Sequence, residues 1–163
     1  MRLTKRELID QIEKLSIDPI WGCYTRAACE LRWTEFTKHA ISVVYTDIDD
    51  MHGLNSQYGH AEVDRRIAQV IANTRHDSES RYGDIVASRW LNGDELVFIL
   101  RSGNGQEFCE RIQADFQAVG INCTMAHTTK IMSTPCETIS PLDEQVNQYK
   151  RVDLRGEIIS LVK

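Results

Sequence analysis

"RWLNGDELVFIL", Arg89 to Leu100, decides how the rest of the chain is read. Asn92-Gly93 lies between two apolar runs, Ile85 to Leu91 and Leu96 to Leu100. That arrangement signals a hairpin, because both central residues of a type I′ turn take positive φ. It predicts a hairpin at the centre of a sheet, with Asp94 and Glu95 near its tip. Two adjacent carboxylates are costly at such an address unless a cation shares it.

Outward from the hairpin, "AISVVYTDIDD" supplies the next strand. Ile41, Val43, Val44 and Tyr45 form a β-branched and aromatic run too short for a free-standing helix. It reads as a buried central strand running into Asp47 and Asp49. Apolar residues at helical spacing predict helices over Thr4 to Ser16 (Leu8, Ile12, Leu15), Ala27 to Lys38, Glu62 to Asn73 (Val63, Ile67, Val70, Ile71) and Gln106 to Ala118 (Phe108, Ile112, Phe116). A last helix is expected to start at Ser140, with Pro141 at its first position and Asp143 closing a capping box. Ile121 to Thr129 and "EIISLV" read as strands. The order is α-α-β-α-β-β-α-β-α-β, one α/β domain. Residues 1–17 are assigned to an N-terminal amphipathic helix and 18–163 to the domain proper. The stripe of that first helix must dock on the domain, on a second copy, or on both.

A length of 163 residues suits one sizeable core, and a net charge of −5 gives no face for a polyanion, so duplex nucleic acid is not an expected partner. The five cysteines are scattered and never form a C-x-x-C pair, which reads as reduced thiols in a cytosolic protein. The charged start "MRLTKRELIDQIEKL" is no signal peptide, and no apolar stretch reaches membrane-spanning length. A cytoplasmic protein away from the membrane is expected.

If the strands carrying Asp47 and Asp94-Glu95 are neighbours, three acids converge at one sheet edge. Such a cluster is compensated most simply by Mg²⁺, a hard ion that takes oxygen ligands and shares them with phosphates. That is the form of a metal-assisted phosphoryl or nucleotidyl transfer site. The plain alternative is three solvated strand-end residues.

"DPIWGCYTR", "YTDIDDMHGLNSQYGHAEVD" and "NGDELVFIL" together resemble the GGDEF family of diguanylate cyclases, from Asp18 to about Arg155. Asp18, Pro19, Gly22 and Arg26 match its D-x-L-T-G-x-x-N-R opening, and Asp47-Ile48-Asp49 its D-x-D strand end. Asn55, Gly59, His60 and Asp64 stand in N-D-x-x-G-H-x-x-G-D register, and Gly93-Asp94-Glu95 in the signature. The resemblance implies a palm-like α/β (α+β) nucleotide-cyclase fold, a central, mostly antiparallel sheet flanked by helices. It implies a homodimer that condenses two GTP into cyclic di-GMP and pyrophosphate with Mg²⁺ or Mn²⁺. By position, Asp47, the carbonyl of Ile48 and Asp94 become metal ligands, and Glu95 sits beside the metals or the attacking 3′-hydroxyl. Asn55 and Asp64 read the guanine edge, while Arg151 and Arg155 contact the triphosphate. "RYGD", Arg81 to Asp84, resembles the family's inhibitory R-x-x-D product site, farther upstream than usual.

The sequence departs from the family pattern at several positions. His52 stands where a phosphate-contacting lysine is expected, Val63 replaces a glycine before Asp64, and Trp21 replaces a threonine. Asn92 replaces the first signature glycine and Leu96 the phenylalanine. Asp50 adds negative charge near the expected phosphates. "SRWLNGDEL" is one residue longer than R-x-G-G-D-E-F. Two alternatives stay open: the same fold making an adenine-containing cyclic product, and a degenerate domain that binds nucleotide or a partner without turnover.

Overall fold

Strand β1 (Ser42–Ile48) is buried along its whole length and forms the middle of a five-stranded sheet ordered β2-β3-β1-β4-β5. A computed structural model of the chain describes residues 4–78, 82–91 and 93–161. On one side β1 pairs antiparallel with β3 (Glu95–Leu100), from Ser42 opposite Leu100 to Asp47 opposite Glu95. On the other it pairs antiparallel with β4 (Cys123–Thr128), ending at Ile48 opposite Cys123. β2 (Val86–Arg89) is antiparallel to β3, and β5 (Ile158–Leu161) is parallel to β4.

Successive side chains of a strand point to opposite faces, and here both faces are covered. Val44, Ile48, Leu96, Phe98 and Leu100 pack in one core with Val63, Ile67 and Ile71 of α5 (His60–Ser78) and Phe108, Ile112 and Phe116 of α6 (Gly105–Ala118). Val43, Tyr45, Val97 and Ile99 pack in the other with Trp33 and Phe36 of α3 (Trp33–Thr37) and Ile139, Leu142 and Val146 of α7 (Pro135–Arg151). Two apolar layers explain why Val43 to Tyr45 of β1 and Leu96 to Leu100 of β3 read as continuous hydrophobic runs instead of alternating ones. Two further short helices are α2 (Arg26–Leu31) and α4 (Met51–Tyr58). The N-terminal α1 (Lys5–Ser16) starts with a Thr4–Glu7 capping box and buries none of its residues.

Four expectations need correction. The β2–β3 hairpin is not at the sheet centre: β2 is an edge strand and β1 holds the middle. Its connection is wider than a two-residue turn. The Trp90 N–H donates to the Glu95 carbonyl, so the closing pair of the hairpin is Trp90 and Glu95, and among the described residues between them Gly93 alone has positive φ, 95°. Asn92 lies outside the described residues. The expected helix over Ala27 to Lys38 is two short helices broken at Arg32, whose guanidinium donates to Glu35 and stacks over Phe36.

The last helix starts at Pro135, not Pro141. The Thr134 hydroxyl caps the Glu137 N–H, and the Glu137 carboxylate accepts from that hydroxyl at 2.8 Å. Pro141 is carried inside the helix, which leaves the Glu137 carbonyl without its i+4 donor. The earlier start wins because it brings Thr138 and Ile139 into the buried face.

Candidate active site

The register of β1 against β3 sets Asp47 directly opposite Glu95, which places both side chains on one face of the sheet. The Ile48 N–H donates to the Asp94 carbonyl at 3.0 Å, so the start of β3 is tied to the end of β1. Asp47, Asp49 and Glu95 are all buried and Asp94 is half-buried.

Their charge is met by Lys150, in the last turn of α7. Its ammonium donates to the carboxylate of Asp47 and, at 3.1 Å, pairs with Asp49; it lies 3.5 Å from the Ile48 carbonyl. Asp49 also accepts from the Thr124 hydroxyl at 2.9 Å, and Thr124 in turn accepts from the Gly156 N–H at 3.0 Å. Burial pushes the Asp47 carboxyl up to about 6; Lys150 opposes that rise, while the nearby Asp94 and Asp49 carboxylates add to it.

Among the described residues, no three His, Cys, Asp or Glu side chains close on one ion position. The oxygens converge on the ammonium instead. Two carboxylates and a backbone carbonyl are the hard donors that Mg²⁺ or Mn²⁺ takes, so these oxygens would suit a divalent cation in chemistry, and in the structure it is the Lys150 ammonium that they face.

The loop from β1 to α4 carries a strained residue. Asp50 has φ 51° and its carboxylate caps the Gly53 N–H at 3.1 Å. A Cβ on Gly53 would stand 2.2 Å from that carboxylate, so a larger residue there would displace the Asp50 cap. His52 is exposed on the first turn of α4, and Asn55 is half-buried one turn on.

Asp64, in the first turns of α5, accepts from the Trp21 indole N–H at 2.8 Å. The Trp21 ring is buried and the Arg89 guanidinium lies over it at 3.9 Å. Arg89 donates to Asp18 at 2.9 Å and to the Gly93 carbonyl at 3.1 Å. The run Asp64–Trp21–Arg89–Gly93 therefore joins the signature loop to the helix holding the expected base reader. Burial raises the Asp18 carboxyl, but the Trp21 and Ile20 N–H groups and Arg89 outweigh it and hold the group below the usual carboxylate range. Val63 faces the core, so its bulk is spent on packing.

Of the other residues singled out in the sequence, Arg151 is exposed and makes none of the contacts that Lys150 makes. Arg155 is exposed at the rim of a cleft of about 760 Å³ that Asp49, Asp50, Gly53, Gln57 and Asn122 also line. Asp84 is exposed, 3.5 Å from Arg101; Arg81 lies outside the described residues. Lys150 and Trp21 are not among the site residues that the sequence singles out. The spacing Leu142, Val146, Lys150 was the available signal for the first, since i, i+4 steps carry the buried stripe of α7 onto the sheet end.

An antiparallel-centred sheet layered between helices, with paired acids where its two inner strands meet, defines a palm-type nucleotidyl-transfer fold. The chain belongs to the GGDEF domain family: the family model described as "Diguanylate cyclase, GGDEF domain" matches residues 24–149. No curated protein matches the chain by sequence. Among solved structures it is similar to the diguanylate cyclase SiaD of Pseudomonas aeruginosa, solved with its activator SiaC, at 21% identity and TM-score 0.71 over 95% of this chain and 65% of that one. The coiled coil and GGDEF domain of DgcB from Caulobacter crescentus, in complex with c-di-GMP, matches at 18% identity and TM-score 0.69 over 95% and 91%. The S helix-GGDEF-EAL portion of Vibrio cholerae LapD matches at 18% and 0.71 over 97% and 40%. These likenesses establish the fold. The chain spans less than two thirds of SiaD and of that LapD portion. No helix among the described residues is long and apolar enough to cross a membrane.

Proposed function

We propose that the chain is a cytoplasmic diguanylate cyclase that condenses two GTP into cyclic di-GMP, with residues 18–163 as the cyclase domain and 1–17 as an appended helix. The observation that supports this most is the register that puts Asp47 opposite Glu95, in a chain of this family. Two copies meet face to face, each holding one nucleotide. Asp47, the Ile48 carbonyl and Asp94 would hold Mg²⁺ or Mn²⁺, which supplies Lewis acidity to the hydroxyl and the α-phosphate. Glu95 takes the 3′-hydroxyl proton as that oxygen bonds to the partner nucleotide's α-phosphorus. The bond from that phosphorus to pyrophosphate breaks, and the same step repeated closes the ring. Asp64 accepts from the N1–H and N2–H₂ donors of guanine and Asn55 reads the same edge; His52, Arg151 and Arg155 serve the phosphates.

The second reading is a domain that binds nucleotide without turnover. Lys150 seated on Asp47 and Asp49, and a histidine at position 52, favour it. Purified protein is incubated with each nucleoside triphosphate and Mg²⁺, and products are resolved by chromatography. Cyclic di-GMP from GTP, abolished in Asp94→Asn and Glu95→Gln with the fold intact, supports the first reading. Saturable GTP binding without product supports the second, and product from ATP alone moves the substrate to adenine.

A further inference from the structure

The cyclase reading needs the oxygens of Asp47 and Ile48 for a divalent cation, and in the structure a side chain of the same molecule holds them. We infer that Lys150 is an internal counter-cation that makes divalent-cation binding conditional on a phosphate ligand. This rests on the cyclase reading of the site.

The chemistry of the contact carries the inference. An ammonium has three donors and no acceptor, and here it faces three oxygens, from Asp47, Asp49 and Ile48. The Lys150 side chain is only 19% exposed, and those of Asp47 and Asp49 are 12% and 6% exposed, so water does little to screen the group. A divalent cation bound to the same oxygens would lie within a few ångströms of the ammonium, and like charges that close in a buried place are not tolerated. Lys150 must therefore leave when the cation arrives.

Its backbone stays where it is. The end of α7 is closed by N–H donors from Asp153 to the Lys150 carbonyl and from Leu154 to the Tyr149 carbonyl. The flexible four-carbon stem does the moving. Leaving the carboxylates strands a charge unless an anion takes it up. A triphosphate arriving in the cleft that Arg155 lines brings both the anion for Lys150 and the cation for Asp47. Metal alone brings only half of the exchange, so the two ligands bind cooperatively, with Lys150 as the coupling element.

The test uses Mn²⁺ alone, with free Mn²⁺ counted by electron paramagnetic resonance, on wild type, Lys150→Met, Lys150→Gln and Arg151→Met. Lys150→Met is expected to tighten Mn²⁺ binding about tenfold, within the usual range of coupling between sites. Arg151→Met removes an equal charge from the next residue without vacating the carboxylates, and is expected to change affinity less than about twofold by screened long-range charge. Adding the α,β-methylene analogue of GTP is expected to raise wild-type Mn²⁺ affinity and to shrink the gain of Lys150→Met. Lys150→Gln, neutral but still a hydrogen-bond donor to Asp47, reports the same gain if the methionine variant does not fold. Equal Mn²⁺ affinity in wild type and both Lys150 variants overturns the inference and leaves the cyclase reading standing. An Arg151→Met gain as large as that at Lys150 also overturns it. Failure of every variant to bind Mn²⁺, with or without the analogue, removes both.

Discussion

Replacing Arg89 tests whether the signature loop is held by a tertiary network instead of by its own turn chemistry. The guanidinium makes an ion pair with Asp18 at 2.9 Å, donates to the Gly93 carbonyl at 3.1 Å and covers the Trp21 ring at 3.9 Å. The pair is partly buried, with side chains 24% and 14% exposed. A hydrogen bond to a charged group contributes about 1.5–3 kcal/mol and a cation–π contact about 0.5–1 kcal/mol at such sites. The terms do not add fully, and Asp18 keeps the Trp21 and Ile20 N–H groups as donors, so no carboxylate is orphaned. Arg89→Met is therefore expected to cost about 2–3 kcal/mol, near the lower edge of what breaking a fully buried pair costs.

Urea unfolding followed by tryptophan fluorescence and by circular dichroism measures that loss. In a domain of this size it corresponds to a fall in Tm of roughly 4–12 °C. Arg89→Lys keeps the charge beside Asp18 but loses the second donor and the flat stack, so about half the loss is expected. A double-mutant cycle with Asp18→Asn should show a coupling of about 1 kcal/mol or more. If Arg89→Met stays within about 0.5 kcal/mol of wild type, a typical surface change, the network is decorative and the loop is held by something else.

Three further outcomes are expected. Asp153 has φ 62° at the end of α7, where glycine is unstrained, so Asp153→Gly should raise stability by about 0.5–1 kcal/mol in thermal melts; a lower Tm refutes the assignment of strain. Gly53→Ala should cost about 1–2 kcal/mol by expelling the Asp50 cap, and the double variant Asp50→Gly, Gly53→Ala should recover most of it; no recovery means that the clash lies elsewhere. Burial lowers the pKa of His127, whose Nδ1 is buried without a hydrogen-bond partner. The unfolded chain then binds a proton at a pH where the fold does not, so this stability is complete above the ordinary imidazole value near ~6.5 and is lost as pH falls below it. Urea midpoints between pH 8 and pH 5 should fall less steeply in His127→Gln, and an unchanged slope counts against the role given to His127.

The inner strands of the fold were legible because their signal is local. The run from Val43 to Tyr45 and the run from Leu96 to Leu100 are wholly apolar, rich in β-branched and aromatic residues, short, and buried on both faces. What the local pattern does not carry is the order of pairing. β1 takes both its neighbours from strands far along the chain, and no periodicity in "SVVYTDI" says so. The start of α7 was obscured for a different reason. Thr134-Pro135 with Glu137 and Ser140-Pro141 with Asp143 are two nearly equal start signals six residues apart. Asp143, free of a capping duty, instead accepts from the Tyr45 hydroxyl at 2.9 Å and the Asn147 amide at 2.8 Å. Only the buried face decides between the two starts, and burial is a property of the finished fold.

The same division runs through the candidate site. Asp94 and Glu95 announce themselves because two acids after Gly93 at the head of an apolar strand are anomalous where they stand. Lys150 is not anomalous at a helix end, where a basic residue is favoured by the helix dipole and is usually solvated. Arg151 beside it and Arg155 beyond offer the same charge at plausible spacing, so composition cannot choose among them. Helix phase can. From Leu142 and Val146 the next i+4 step lands on Lys150, while Arg151 is turned a further 100° or so away from the sheet. A cation reached by helix phase from a buried stripe is thus the stronger candidate for an acid cluster at a strand end, and the contact of Lys150 with Asp47 follows from where α7 must bury Val146.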